Sequence, residues 1–273
     1  MRTWTSPGAG EVMNGDDLER YARQLSLPTF GAARQARLAR ASVLLVGVGG
    51  LGSPAALYLA GAGVGRISLA DADVVETSNL HRQIIHTEDR TGRRKAVSGA
   101  ASVLALNSKC AVTTHIDGVT QANALALVKA HDVVMDCTDN VQTRYLLSDA
   151  CAVAGVPLVS AAAVSLEGQL TVYCRERCPG ATPTQEKEDV KGTASSSKAR
   201  PPCYRCVFPR APAAKDCTSC ARGGVLGPVP GVMVRPAEGV SSIPSTQRPF
   251  HFWRRSAFIY TGGARVRRRL VQS

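Results

Sequence analysis

One stretch limits what this chain can fold into: Ser42 to Asp73, SVLLVGVGGLGSPAALYLAGAGVGRISLADAD. Its apolar opening, Val43-Leu44-Leu45-Val46, is too short for a helix and rich in strand formers. Glycines follow at 47, 49, 50 and 52. Pro54 to Ala60 is alanine- and leucine-rich with no breaker until Gly61, which predicts a helix of about three turns. A second short run, Arg66 to Ala70, ends at Asp71. Strand, glycine turn, helix, strand and acid in that order predict one nucleotide-binding βαβ unit. Glycines let the loop turn sharply and bring backbone N–H groups against a phosphate, and the helix N-terminus adds partial positive charge. Asp71 stands about 20 residues on, where ribose recognition needs an acid. The spacing Gly47-x-Gly49-x-x-Gly52 alone is a weak signal, and a tight structural turn is the alternative. Agreement between strand, loop, helix and acid favours the nucleotide.

The rest of the chain continues the alternation. Asp16 to Ala39 predicts helix interrupted near Pro28 and Gly31, with Arg20 and Arg23 on its first half. Val74 to Gln83 has no clean period and predicts a loop or a short helical turn. Gly92–Leu106, Gln121–Lys129 and Val141–Ala154 predict helices, with Lys95 in the first turn of one and Gly155 closing the last. Ala111–Ile116, Asp132–Met135, Pro157–Ser160 and Gly168–Tyr173 predict strands, the last two close enough for a hairpin. We therefore expect an α/β, Rossmann-like fold: a mixed, mainly parallel sheet with helices on both faces. Residues 1–16 are expected to be disordered. Residues 175–200, dominated by Ser, Thr, Pro, Gly and charge, are expected to form a flexible insertion.

The 273 residues suffice for one large α/β domain. No apolar run reaches the roughly 18 residues of a membrane span, and the N-terminus lacks the apolar core of a secretory signal. A cytoplasmic chain that engages no membrane is expected. The formal charge of +12 invites a nucleic-acid reading, but +7 of it lies in the forty residues from Val234 to Ser273. A solvated or disordered tail is favoured over direct nucleic-acid binding. Nine cysteines in such a chain suggest thiol chemistry or metal rather than disulfides. Cys203-x-x-Cys206 and Cys217-x-x-Cys220 stand out. Cys110, Cys137 and Cys151 read as small buried apolar residues.

Loops following the strands should converge at one end of the sheet, where such folds bind ligands. They offer Gly50, Asp71, Asn79, Arg82, Asp139 and Asn140, with Lys95 at a helix start. A nicotinamide dinucleotide has little use for two added cations, although an NAD-type oxidoreductase stays open. A nucleoside triphosphate carries about four negative charges, and attack at its phosphoryl group needs them neutralised by Arg, Lys and metal. In that reading Asp71 accepts from the ribose, Arg82 and Lys95 clamp phosphates, and Asp139 holds Mg²⁺. No Gly-Lys-Ser/Thr follows the glycine loop, which argues against a Walker A kinase or GTPase.

Arg20-Tyr21-x-Arg23-Gln24, Gly47-x-Gly49-Gly50-Leu51-Gly52, Ser78-Asn79-Leu80-x-Arg82-Gln83, Asp136-Cys137-x-Asp139-Asn140, Gly168-Gln169 and Pro202-Cys203-Tyr204-Arg205-Cys206 occur in this order. Together they resemble the ThiF/MoeB/ubiquitin-activating superfamily over residues 17–233, outside the insertion. The likeness is strongest to its eukaryotic branch of molybdopterin-synthase adenylyltransferases and sulfurtransferases. The resemblance implies an ATP-dependent adenylyltransferase that activates the C-terminal glycine of a ubiquitin-like sulfur carrier, for molybdenum cofactor biosynthesis and tRNA thiolation. It implies ATP binding by Gly50, Asp71, Ser78, Asn79, Leu80, His81, Arg82, Lys95, Asp139 and Asn140. It further implies that Arg23 reaches phosphates from the partner subunit of a homodimer, that Cys203 and Cys206 form half of a structural Zn²⁺ site, and that Cys220 attacks the adenylated carrier.

The sequence departs from that pattern after Met233. No cysteine follows Cys220, so the family's second zinc-binding pair and its rhodanese-like domain have no counterpart. We expect a truncated or alternatively spliced product whose residues 234–273 form an unrelated, disordered basic tail. A local four-cysteine zinc knot of Cys203, Cys206, Cys217 and Cys220 stays open. It would leave Cys220 a ligand rather than a nucleophile. A non-catalytic form that only binds carrier also stays open.

Overall fold

The computed structural model describes residues 15–174, 202–212, 225–231, 257–261 and 265–269. The N-terminal segment, the 175–200 insertion and both Cys217 and Cys220 lie outside the described residues.

Two helices, α1 (Gly15–Leu25) and α2 (Gly31–Arg40), precede strand β1 (Ser42–Val46). Helix thus begins inside the stretch expected to be disordered, with Asp16 and Asp17 in the first turn, where acids complement the helix dipole. The break between α1 and α2 contains Pro28, as expected. After β1 come α3 (Gly52–Ala62), β2 (Arg66–Ala70), α4 (Lys95–Leu106), β3 (Ala111–His115), α5 (Ala124–Lys129), β4 (Val133–Asp136), α6 (Val141–Ala154), β5 (Leu158–Val164) and β6 (Glu167–Tyr173). A short α7 (Tyr204–Val207) and strands β7 (Ala257–Thr261) and β8 (Arg265–Arg269) complete the described elements.

The sheet has eight strands in the order β3-β2-β1-β4-β5-β6-β7-β8. From β3 to β5 all neighbours are parallel, and β5 and β6 form the expected antiparallel hairpin. The mixed sheet with helices on both faces agrees with the sequence reading. Burial explains why the central strands read as unbroken apolar runs: all five residues of β1 are buried. Val43 and Leu45 face the cluster containing Ala55 and Leu59 of α3 and Val103 of α4. Leu44 and Val46 face Val128 of α5 and Leu147 of α6.

Three local expectations are corrected. Gly61 does not stop α3; the helix runs on to Ala62 and ends at Gly63, whose φ of +93° makes the left-handed cap. The helix after Gly92 begins only at Lys95. The basic tail is not without regular structure, since β7 pairs with β6 and β8 with β7, both antiparallel. Ala257-Phe258-Ile259-Tyr260-Thr261 is rich in strand formers, and Gly262-Gly263 lies in the sequence before the next strand, a hairpin signal that the charge reading of the tail did not use.

Strand β1 lies between β2 and β4, so the chain leaves it in one direction through α3 and arrives beside it again from β3 through α5. This reversal opens a crevice at the carboxyl ends of β1 and β4, the place where such sheets take ligands.

Candidate nucleotide site

The glycine loop follows β1 directly. Gly47 has φ +88°, and a Cβ there would stand 2.8 Å from the Cys137 carbonyl oxygen. A Cβ on Gly52 would stand 1.9 Å from the Gly47 carbonyl oxygen, so α3 starts against the loop with no room for a side chain. No side chain caps α3 at Leu51. The Ser53 amide already donates to the Gly49 carbonyl at 2.8 Å and Pro54 has no N–H, so the helix offers an anion in the crevice its dipole and the Gly52 amide.

Asp71, at the end of β2, is tied into this loop. Its Oδ2 accepts from the Val48 N–H at 2.7 Å, and its Oδ1 from the Asp73 N–H at 2.8 Å. Each carboxylate oxygen keeps a second lone pair for a ribose hydroxyl. Beneath the loop lies buried His86, a residue the sequence reading passed over. Its Nε2 donates to the Val48 carbonyl at 2.9 Å and its Nδ1 accepts from the Ser98 hydroxyl at 2.9 Å. Burial pushes its pKa below the usual value and the adjacent Lys95 adds to this, against the opposing carbonyl contact and Asp71. The imidazole is thus a neutral strut between the loop and α4.

Ser78 to Arg82 form one compact turn that overlaps a 3₁₀ segment, Thr77–Asn79. Asn79 Nδ2 donates to Glu76 at 2.9 Å, and Arg82 Nη2 donates to Asn79 Oδ1 at 2.6 Å. His81 Nδ1 lies 3.1 Å from the Ser78 carbonyl and its Nε2 3.2 Å from Arg82 Nη1. The Arg82 methylenes pass 3.4 Å from the point where a Cβ on Gly50 would stand, which lays this guanidinium stem along the glycine loop. Leu80 is half-buried within the turn.

Lys95 opens α4, as the sequence predicts. Its side chain is only 8% exposed and its Nζ donates at 2.9 Å to Asp73, whose side chain is 72% exposed. The acid of this pair is solvated while the ammonium is not. Asp73 was missed because no pattern distinguishes it from Asp71 in Asp71-Ala72-Asp73.

The β4–α6 loop closes the other wall. The Thr138 methyl lies 3.2 Å from the Cβ position of Gly47, and exposed Asp139 and Asn140 follow. Asn140 caps α6: its Oδ1 accepts from the Gln142 and Thr143 amides at 2.9 and 3.2 Å. Its side-chain oxygen is committed to the helix, a structural duty that the sequence reading did not assign. Below the loop, fully buried Asp136 pairs with Arg144 Nε at 2.7 Å. Arg144 Nη2 also donates to the Thr138 and Ala161 carbonyls at 2.9 and 2.8 Å. This buried pair spaces the loop from β5. An exposed face of α6 was as good a reading of Arg144 from sequence.

Two expected site groups lie elsewhere. Arg23 is exposed in the last turn of α1. That helix packs at the far end of α3, where Gln24 donates to the Ala62 carbonyl at 2.8 Å and Tyr21 accepts from Asn107. The 11 residues of α3 separate the two ends by about 16 Å, so Arg23 does not enter the crevice of its own chain. Cys203 and Cys206 flank the start of α7, their sulfurs 3.6 Å apart. Burial raises the Cys203 thiol, but contacts from the Cys206 amide and thiol outweigh it and leave its pKa lowered. Two thiolates on one tetrahedral zinc lie about 3.8 Å apart, so the pair fits half of such a site. Among the described residues no third His, Cys, Asp or Glu joins it. Arg205 anchors this segment on α6 through Asp149, at 2.7 and 2.8 Å.

A glycine loop at a helix start, with Asp71, Arg82 and Lys95 around one crevice of a mainly parallel sheet, places the chain in the doubly wound α/β class. The profile of the ThiF family matches residues 21–235, and the chain belongs to that family. It is 50% identical over 222 residues to the adenylyltransferase and sulfurtransferase MOCS3 of Bos taurus, covering 81% of this chain and 44% of the relative. The chain thus spans less than half the length of that relative. Among solved structures, the tRNA N6-threonylcarbamoyladenosine dehydratase TcdA of E. coli is 32% identical with a TM-score of 0.54, over 57% of this chain and 65% of that one. The ATP complex of E. coli MccB shares the fold, with TM-score 0.66 and 20% identity over 92% of this chain and 71% of that one.

Proposed function

We propose that this chain is the adenylating unit for a ubiquitin-like sulfur carrier, using ATP to activate the carrier's C-terminal glycine. The observation that carries the reading is the convergence on the crevice of the α3 N-terminus, Asp71, Arg82 and Lys95, in a chain 50% identical over 222 residues to an adenylyltransferase and sulfurtransferase. ThiF family membership favours it over the NAD-type oxidoreductase.

The chemistry follows from charge. The carrier carboxylate attacks the α-phosphorus of ATP, forming a C–O–P bond while the bond to the β,γ-pyrophosphate breaks and pyrophosphate leaves. Arg82 and Lys95 offset charge on the phosphates, and the Gly52 amide and the α3 dipole hold them without reorganisation. Gly50 permits close approach of the loop, and the Ser78–Arg82 turn shapes the phosphate wall. Magnesium, for which exposed Asp139 is the available carboxylate, supplies further neutralisation when bound. Arg23 serves the crevice of a second copy in a homodimer, since its own crevice is out of reach. The Cys220 thiolate then attacks the carbonyl carbon of the acyl-adenylate, forming a thioester as the bond to AMP breaks and AMP leaves. The products feed molybdenum cofactor assembly and tRNA thiolation in the cytoplasm. Among the described residues no helix is long and apolar enough to cross a membrane.

Carrier-dependent exchange of labelled pyrophosphate into ATP tests this directly. Exchange is expected with the intact carrier and none with a carrier lacking its terminal glycine; no exchange with either refutes the reading. Structural zinc is a separate part of the proposal, with the Cys203 and Cys206 pair supplying two ligands. Metal analysis of the purified chain should find zinc, and Cys206→Ser should remove it. Zinc content unchanged by that substitution removes the pair from the site.

A further inference from the structure

Residues 225–230 run across the outside of the crevice and touch both halves of its phosphate wall. Val225 pairs with Ser165 in the β5–β6 turn, and the Leu226 amide donates to the Ser165 carbonyl at 3.1 Å. Val229 is 9% exposed and joins the main apolar cluster, so the segment is anchored rather than laid on the surface. Between these anchors, Gly227 meets the Ser78–Arg82 turn: a Cβ there would stand 2.5 Å from the His81 carbonyl oxygen. Pro230 meets the glycine loop, its Cγ 3.3 Å from the Cβ position of Gly50.

The turn needs such support. Ser78 and His81 are exposed. Its side-chain hydrogen bonds join Glu76, Ser78, Asn79, His81 and Arg82 to one another and fix its shape, not its distance from the glycine loop. The wall beneath has unmet polar groups. Ser53 Oγ, in the first turn of α3, and Gln83 Oε1, at the end of the turn, are buried without a hydrogen-bond partner. Buried polar atoms left unpaired are costly, and a polar occupant relieves them.

We propose that Gly227 and Pro230 are positioning residues: they clamp the His81 carbonyl and Gly50 from outside and so hold Arg82 at the spacing that grips the phosphates of a nucleoside triphosphate. The proposal rests on the reading that the crevice takes ATP. It assigns a binding duty to a segment beyond the glycine loop, the turn and the acid. A Cβ at 227 displaces the turn that carries Arg82, and uniform loss of phosphate grip appears in KM rather than kcat.

Calorimetric titration of the purified chain with Mg-ATP, without carrier, is the test. Gly227→Ala should weaken binding by about 10-fold or more, which is about 1.4 kcal/mol. The KM for ATP in the exchange assay should rise in parallel, with kcat within about twofold. Gly231→Ala is the control, because a Cβ there meets nothing within 4 Å; its affinity should stay within about twofold of the parent. Pro230→Ala removes the contact on Gly50 without adding volume, and should weaken Mg-ATP by about threefold at an unchanged melting temperature. Should Gly227→Ala fail to fold, Pro230→Ala decides. Parent-like affinity in either folded variant overturns the clamp. Failure of the parent chain itself to bind Mg-ATP overturns the ATP reading beneath it.

Discussion

Asp136→Asn is expected to destabilise the fold by about 3–5 kcal/mol, read by chemical denaturation. Asp136 is 0% exposed and accepts from Arg144 Nε, the Ser160 hydroxyl and both the amide and hydroxyl of Thr138, at 2.7 to 3.1 Å. The Arg144 side chain is itself only 11% exposed. Asparagine fills the same space but leaves a guanidinium without its counter-charge in a desolvated place, and its amide N–H₂ faces donors instead of accepting from them. A double variant, Asp136→Asn with Arg144→Met, should recover part of the loss, because removing both charges spares the cost of an unpaired ion. A single-variant loss below about 1 kcal/mol would mean that the pair contributes no more than an exposed one.

Asp139→Ala should lower carrier-dependent pyrophosphate exchange by about 1,000-fold with no change in stability beyond about 0.5 kcal/mol. The contrast with Asp136, three residues earlier, is one of burial. Asp139 is exposed, and among the described residues no hydrogen bond or ion pair holds its side chain. Nothing in the fold depends on it, so a large kinetic loss can only come from the reaction. The expected readouts are exchange rate and melting temperature on the same preparation. Retention of more than a tenth of the activity would remove Asp139 from the phosphate-handling machinery.

The two substitutions also show what a linear reading can see. Asp136 and Asp139 are both acids after an apolar run, and spacing alone does not tell which one is buried. Arg144 looks like the polar face of α6 until β5 is placed beside it and the Ala161 carbonyl becomes its partner. His86 carries no local pattern, because its duty is set by Val48 and Ser98, 38 and 12 residues away. Asp73 and Gly227 escaped for the same reason. The arginine-rich tail misled in the opposite direction: its charge spoke for a solvated segment, while the run of strand formers in Ala257–Thr261 and the pairing with β6 place strands there.

Elements whose cause is local were legible. The apolar run of β1, the glycines after it, the alanine-rich α3 and the Gly155 cap of α6, with φ +66°, are each dictated by neighbours within a turn or two. From them followed the α/β alternation, the crevice at the end of β1, and Asp71, Arg82 and Lys95 as candidates. Tertiary structure alone decided which charges are paired, which face the crevice, that Arg23 sits at the far end of α3, and that residues 225–230 return across the crevice. Those outcomes depend on contacts between residues far apart in the chain, where burial and distance set the energy of a charge or hydrogen bond, and neither quantity is written in the order of residues.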